Sequence, residues 1–222
     1  MSDHKIYRTP SAYGYPLLIK QLLNTLELRH PDQEIVYANR LRYTYRDFKK
    51  RVARLANLLM SLGVKEGDTV AVLDWDSHRY LECFFAIPMV GAVLHTVNIR
   101  LSPDQILYTM NHAGDDLVLI NKEFLPLMAP ILGRIETVKD WVVISESADN
   151  ADSAIQFAGE YEALLDTQSE EYDFADFDED LRATIFYTTG TTGNPKGVYY
   201  SHRQIVLHTL GKGLAMGSPA EQ

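Results

Sequence analysis

Short apolar segments alternate with longer amphipathic ones through the middle of this chain, and that alternation limits the folds open to it. Val70-Ala71-Val72-Leu73 reads as a strand, Ser77 to Met89 as a helix, and Ala92 to Val97 as the next strand. Ser102-Pro103-Asp104-Gln105 then opens a helix, with a capping serine, proline in the first turn and glutamine three residues after the cap. Asp116 to Asn121 reads as a strand, Phe124 to Leu132 as a helix, and Trp141 to Ser145 as a further strand. Short strands joined through helices predict an α/β fold, a mostly parallel sheet with right-handed crossovers and flanking helices. No fixed-period repeat is visible.

The flanks of this region read differently. Leu17, Leu18, Leu22, Leu23 and Leu26 form a helical stripe behind an irregular arm at Ser11 to Pro16. Glu34 to Thr44 reads as a β-hairpin turning near Asn39-Arg40. Thr44 and Asp47 then form a capping box for a helix with Phe48, Val52, Leu55, Ala56 and Leu59 on one face, ended by Gly63. Beyond residue 145, Glu146 to Asp152 is a polar loop and Gly159 to Thr167 a short helix. Ser169 to Asp180 carries seven carboxylates with Tyr172, Phe174 and Phe177 between them, a solvated linker rather than a metal cluster. The expected organisation is an arm and helix over 1–33, an α/β unit over 34–168, an acidic linker over 169–183, and the start of a next subdomain over 184–222.

Composition narrows the functions. With 222 residues, 46% hydrophobic and 23% charged, the chain can bury a sizeable core. A formal net charge of −9 argues against a nucleic-acid binder relying on bulk charge. The one cysteine, Cys83, lies in an apolar helix pattern, so an intramolecular disulfide is excluded and a reducing cytoplasm suits the chain. No apolar run reaches the length of a transmembrane span, and Met1 to Lys20 lacks the pattern of a signal peptide.

The chemistry concentrates in Thr188-Thr189-Gly190-Thr191-Thr192-Gly193-Asn194-Pro195-Lys196-Gly197. A buried strand, Thr184 to Tyr187, precedes this loop, and Val198-Tyr199-Tyr200 resumes an extended pattern after it. Glycines let backbone N–H groups approach an anion closely, threonine hydroxyls donate to phosphate oxygens or touch a cation, and Lys196 adds a positive charge. The spacing is not that of a Walker A loop. Gly211, Gly213 and Gly217 do not make a dinucleotide fingerprint, because the last glycine comes one residue late and no strand precedes them.

Tyr187 to Val198 resembles the phosphate-binding signature of the adenylate-forming enzymes, a superfamily that includes acyl-CoA synthetases, peptide-synthetase adenylation domains and luciferases. Thr189 stands where serine is commoner, as in medium- and long-chain fatty acyl-CoA ligases. Gly67 to Val72, Gly91 to Leu101 and Tyr37 to Phe48 resemble further family segments, so the likeness runs over about residues 34 to 210. It implies the first part of the large N-terminal domain of an acyl-CoA synthetase-like fold. It implies ATP, Mg²⁺ and CoA, with a carboxylic, fatty acid substrate converted through an acyl-adenylate to a thioester. Thr188, Thr189, Gly190, Thr191, Thr192, Gly193 and Lys196 would hold the nucleotide phosphates, and Thr188 would help hold Mg²⁺. The family's later Thr-Glu motif, ribose-binding Asp and catalytic lysine would lie beyond Gln222. The resemblance therefore places no catalytic residue here and implies an inactive fragment.

Two readings of other classes stay open: a stand-alone phosphate- or nucleotide-binding module, and a dimerisation module in which open sheet edges pair two copies as a homodimer. Among the remaining polar residues, His202 reads as capping or packing ahead of ligand contact. It lies six residues from His208, off the spacing of a metal pair. His4, His30, His78, His95 and His112 show no metal-ligand spacing, and Asp74 and Asp76 read as turn residues. Trp75 and Trp141 read as core or edge aromatics.

Overall fold

The computed structural model describes His4 and residues 7–146, 154–188 and 193–216. Helix α1 (Ile19–Arg29) leads into the hairpin of β1 (Glu34–Tyr37) and β2 (Leu41–Thr44), then α2 (Tyr45–Ser61). The repeated unit follows as β3 (Thr69–Leu73), α3 (His78–Met89), β4 (Val93–Thr96), α4 (Pro103–Ala113), β5 (Asp115–Asn121), α5 (Leu125–Met128) and β6 (Asp140–Ile144). Next come β7 (Gly159–Glu160), α6 (Tyr161–Asp166), β8 (Arg182–Thr188), β9 (Lys196–Ser201) and α7 (His202–Met216).

Seven strands form one sheet in the order β7-β6-β5-β3-β4-β8-β9, parallel except for the last pair. The sheet continues past the acidic stretch, since β8 pairs directly with β4. All of β3 is buried, as a parallel strand covered on both faces must be. Val70 and Val72 point to a core built with α1, α2, α3 and α6, whereas Ala71 and Leu73 point to a second core under α4 and α5. Two glycines of the family-like segments meet here, Gly67 donating its N–H to the Gly91 carbonyl at 2.9 Å.

Local signals set the helix starts. Both expected capping boxes form, Thr44 with Asp47 and Ser102 with Gln105. The hairpin turn sits one residue earlier than expected: Ala38 and Asn39 take positive φ and Arg40 N–H closes on the Tyr37 carbonyl at 2.9 Å. That geometry suits the right-handed twist of the paired strands. The helix expected over Phe124 to Leu132 is broken into a 3-10 turn at Lys122–Phe124, the single turn of α5, and a 3-10 turn at Leu132–Arg134. Pro126 is tolerated near the start of α5, but Pro130 has no N–H with which to continue the helix. Gly159 and Glu160 pair with β6 before α6 begins, and the Glu160 carboxylate caps that helix at Ala163 N–H, 2.9 Å away.

The acidic stretch forms no regular element over 169–178, yet it is tied down. Asp176 pairs with Lys20 at 2.6 Å, Glu179 accepts from Leu17 N–H at 2.6 Å and pairs with Arg203, and the Asn57 amide donates to the Ser169 and Glu171 carbonyls. Among the described residues no group of three or more His, Cys, Asp and Glu side chains is placed to hold a metal ion, and no helix is long and apolar enough to cross a membrane.

His202 joins this seam. It is fully buried, its Nδ1 accepts from Ile19 N–H at 3.3 Å, and its ring lies edge-on to Phe177. Burial pulls its pKa down to about 4. A depressed folded-state pKa stabilises the fold above the unfolded value of about 6.5 and loses that contribution as pH falls toward 4. Wild-type protein is expected to lose about 3 kcal/mol more than His202→Asn between pH 7 and pH 4. Urea unfolding midpoints across that range check this; parallel pH profiles would refute it.

Candidate phosphate-binding site

The parallel strands β3, β4 and β8 end on the same edge of the sheet, and the strand order reverses at β3, which has β4 on one side and β5 on the other. Ligands of open α/β sheets bind outside the carboxyl ends of strands at such a reversal. Behind β3, Asp74 accepts from the Ser77 hydroxyl and from the Asn121 amide, the latter at 2.7 Å, so it shapes the turn into α3. Trp75 donates to Glu123 at 2.9 Å and lies against Phe124 at the edge. Behind β4, the Asn98 side chain accepts from Arg100 N–H at 3.0 Å.

The predicted phosphate loop leaves β8 on this edge and returns through β9. Thr188 and Lys196 face each other as the last ladder pair, both exposed, with the Thr188 hydroxyl 3.5 Å from the Lys196 carbonyl. Thus the hydroxyl and the ammonium-bearing residue that the sequence separates by eight positions become neighbours. Gly193 is exposed, with φ of 95°. Its left-handed backbone is one that side chains resist. Pro195 is buried beside Lys196. Thr189, Gly190, Thr191 and Thr192 lie outside the described residues.

One step inside the loop feet, Tyr187 pairs with Gly197 and is nearly buried. A Cβ at position 197 would stand 3.3 Å from the Tyr187 ring, so glycine lets β9 cross it closely. The Tyr187 hydroxyl and His112 Nδ1 are joined at 2.7 Å, and the ring also leans on His95. His95 is fully buried and held through Nδ1 by both oxygens of Asp115, at 2.9 and 3.0 Å. Burial pushes the Asp115 carboxyl above its ordinary value, against the opposing pull of His95. No spacing in the sequence points to His112, because its partner lies 75 residues away.

The family model for AMP-binding enzymes matches residues 26–217. The chain belongs to the AMP-binding enzyme family. It is 44% identical over 177 residues to a long-chain-fatty-acid–CoA ligase of Thermus thermophilus, covering 80% of this chain and 31% of that protein. It is 36% identical over 198 residues to a medium-chain-fatty-acid–CoA ligase of Ectopseudomonas oleovorans, covering 87% and 36% respectively. The chain thus spans about a third of the length of these curated relatives. The N-terminal domain of FACL13 from Mycobacterium tuberculosis superposes with a TM-score of 0.75 over 92% of this chain and 48% of that one. At 22% identity that likeness carries the fold. This AMP-binding chain is therefore α/β with a mostly parallel sheet, as its sequence predicts.

Proposed function

We propose that this chain is the phosphate-binding portion of an ATP-dependent carboxylic acid–CoA ligase that acts on a fatty acid in the cytoplasm. One observation carries the reading: the carboxyl edge of the sheet delivers Thr188 and Lys196 side by side, at the two feet of the family's signature loop. In this reaction a carboxylate oxygen attacks the α-phosphorus of ATP, the bond to pyrophosphate breaks, and the acyl-adenylate then yields its acyl group to the CoA thiol. Both reactants are anionic, so charge must be neutralised before they meet. Lys196 supplies a fixed positive charge, and the loop's N–H and hydroxyl groups donate to the β- and γ-phosphates. The exposed Thr188 hydroxyl, a hard oxygen donor beside the Lys196 carbonyl, suits Mg²⁺. Bound Mg²⁺ would neutralise phosphate charge.

The test is acid-dependent exchange of pyrophosphate into ATP, run on residues 1–222 and on the product of the whole gene across fatty acids of several lengths and an aryl acid. Exchange by the whole product with fatty acids supports the reading, and the responding length names the substrate. Absence of exchange from both would leave a phosphate cradle without this chemistry.

A further inference from the structure

We propose that His112 is a positioning residue, which fixes the two feet of the phosphate loop by holding Tyr187 from helix α4. The inference rests on the reading that Thr188 and Lys196 serve nucleotide phosphates. Strand β8 pairs with β4 through Leu94–Thr184, His95–Ile185 and Thr96–Phe186, and the parallel ladder ends there. Tyr187 and Thr188 run past it and, among the described residues, pair in the ladder with β9 alone, which is itself the edge of the sheet. Backbone pairing sets the separation of the feet but does not tie the pair to the body of the protein.

The Tyr187 side chain makes that tie. Its hydroxyl meets His112 Nδ1 at 2.7 Å, and the His112 ring stands edge-on to it at 5.7 Å between centroids. On its flanks the ring meets His95, anchored by Asp115, and Gly197 of the returning strand. Tyr187 is therefore held at its hydroxyl by α4 and along its ring by β4 and β9, one residue from Thr188 and opposite the residue that follows Lys196.

Tyr187→Phe keeps the ring and removes the hydroxyl; His112→Ala removes the partner; His112→Asn returns a polar atom near the place of Nδ1. Amide hydrogen exchange in segments 184–188 and 193–199 reports on the feet without nucleotide. Both single variants should exchange about fivefold faster there, the double variant no faster than either single, and β3 and β5 should be unchanged. In the whole gene product the same variants should raise KM for MgATP about fivefold with little change in kcat, and His112→Asn should restore most of it. Unchanged exchange at the feet in Tyr187→Phe, which preserves packing, would overturn the clamp. So would faster exchange with an unchanged KM in an active enzyme. Faster exchange in a protein with no nucleotide-dependent activity would sustain the clamp and refute the proposed function.

Discussion

Arg51→Met is expected to destabilise the fold by about 3–5 kcal/mol, a large part of the roughly 5–15 kcal/mol that holds a typical domain together. Glu82 of α3 has no exposed surface. Its carboxylate accepts from Arg51 Nε at 2.6 Å, from Arg51 Nη2 at 3.2 Å and from the Tyr161 hydroxyl at 2.8 Å. Arg51 also reaches Glu162, which Arg79 and His78 hold from the other side. Four segments, α2, α3, α6 and β2 through Tyr43, are thus fastened around one buried charge. Removing the guanidinium strands that charge away from water. The pair itself is no measure of net stabilisation, because desolvating both ions offsets much of their attraction. Hence Arg51→Met with Glu82→Leu should recover most of the loss.

The pH dependence separates this account from simple loss of packing. Burial works to raise Glu162, but His78, Arg51 and Arg79 outweigh it and hold the carboxyl down to about 2. That contribution is present above the ordinary value near 4.5 and is lost as pH falls toward 2. Arg51→Met removes one of the three groups that hold Glu162 down, so wild type loses more than the variant in acid and the deficit should narrow as pH falls. Urea unfolding from pH 7 to pH 4 reads both effects. A deficit below about 1 kcal/mol, or one that widens in acid, would refute the stranded-charge account.

The second large effect concerns chemistry. Lys196→Ala in the whole gene product is expected to lower acid-dependent pyrophosphate exchange about 100-fold, the usual scale for removing one well-placed stabiliser of transition-state charge. Its stability should stay within about 0.5 kcal/mol of wild type, because Lys196 is exposed. Lys196→Arg keeps the charge but changes its shape and reach, and should recover only part of the rate. Exchange within about threefold of wild type in Lys196→Ala, with saturating acid, would remove Lys196 from the phosphate site.

Much of this molecule is legible along the chain. Strands β3 to β6 and helices α3 and α4 follow from apolar runs and their periodicity. Thr44 with Asp47 and Ser102 with Gln105 start their helices through contacts three residues apart, which the sequence displays directly. The misread helix at Phe124 shows the limit of periodicity: the apolar pattern continues there, while Pro130 lacks the N–H that a continuing helix needs. The proposed phosphate loop is read from consecutive residues, of which the structure describes Thr188 and 193–197.

The fastenings are another matter. Arg51 and Glu82 lie 31 positions apart, His95 and Asp115 20 apart, and His112 and Tyr187 75 apart. Each residue alone resembles an ordinary surface charge or isolated histidine, and nothing local marks its partner. The chain's own pattern therefore determines the elements, because apolar periodicity, capping and turns act over a few residues, and their alternation of strand and helix implies the parallel sheet. Strand order is left to the tertiary structure. By placing β8 beside β4 and folding α4 and α6 against the sheet, it decides which distant polar groups meet, and the buried ones among them, Glu82, His95 and Asp115, are costly to leave unpaired.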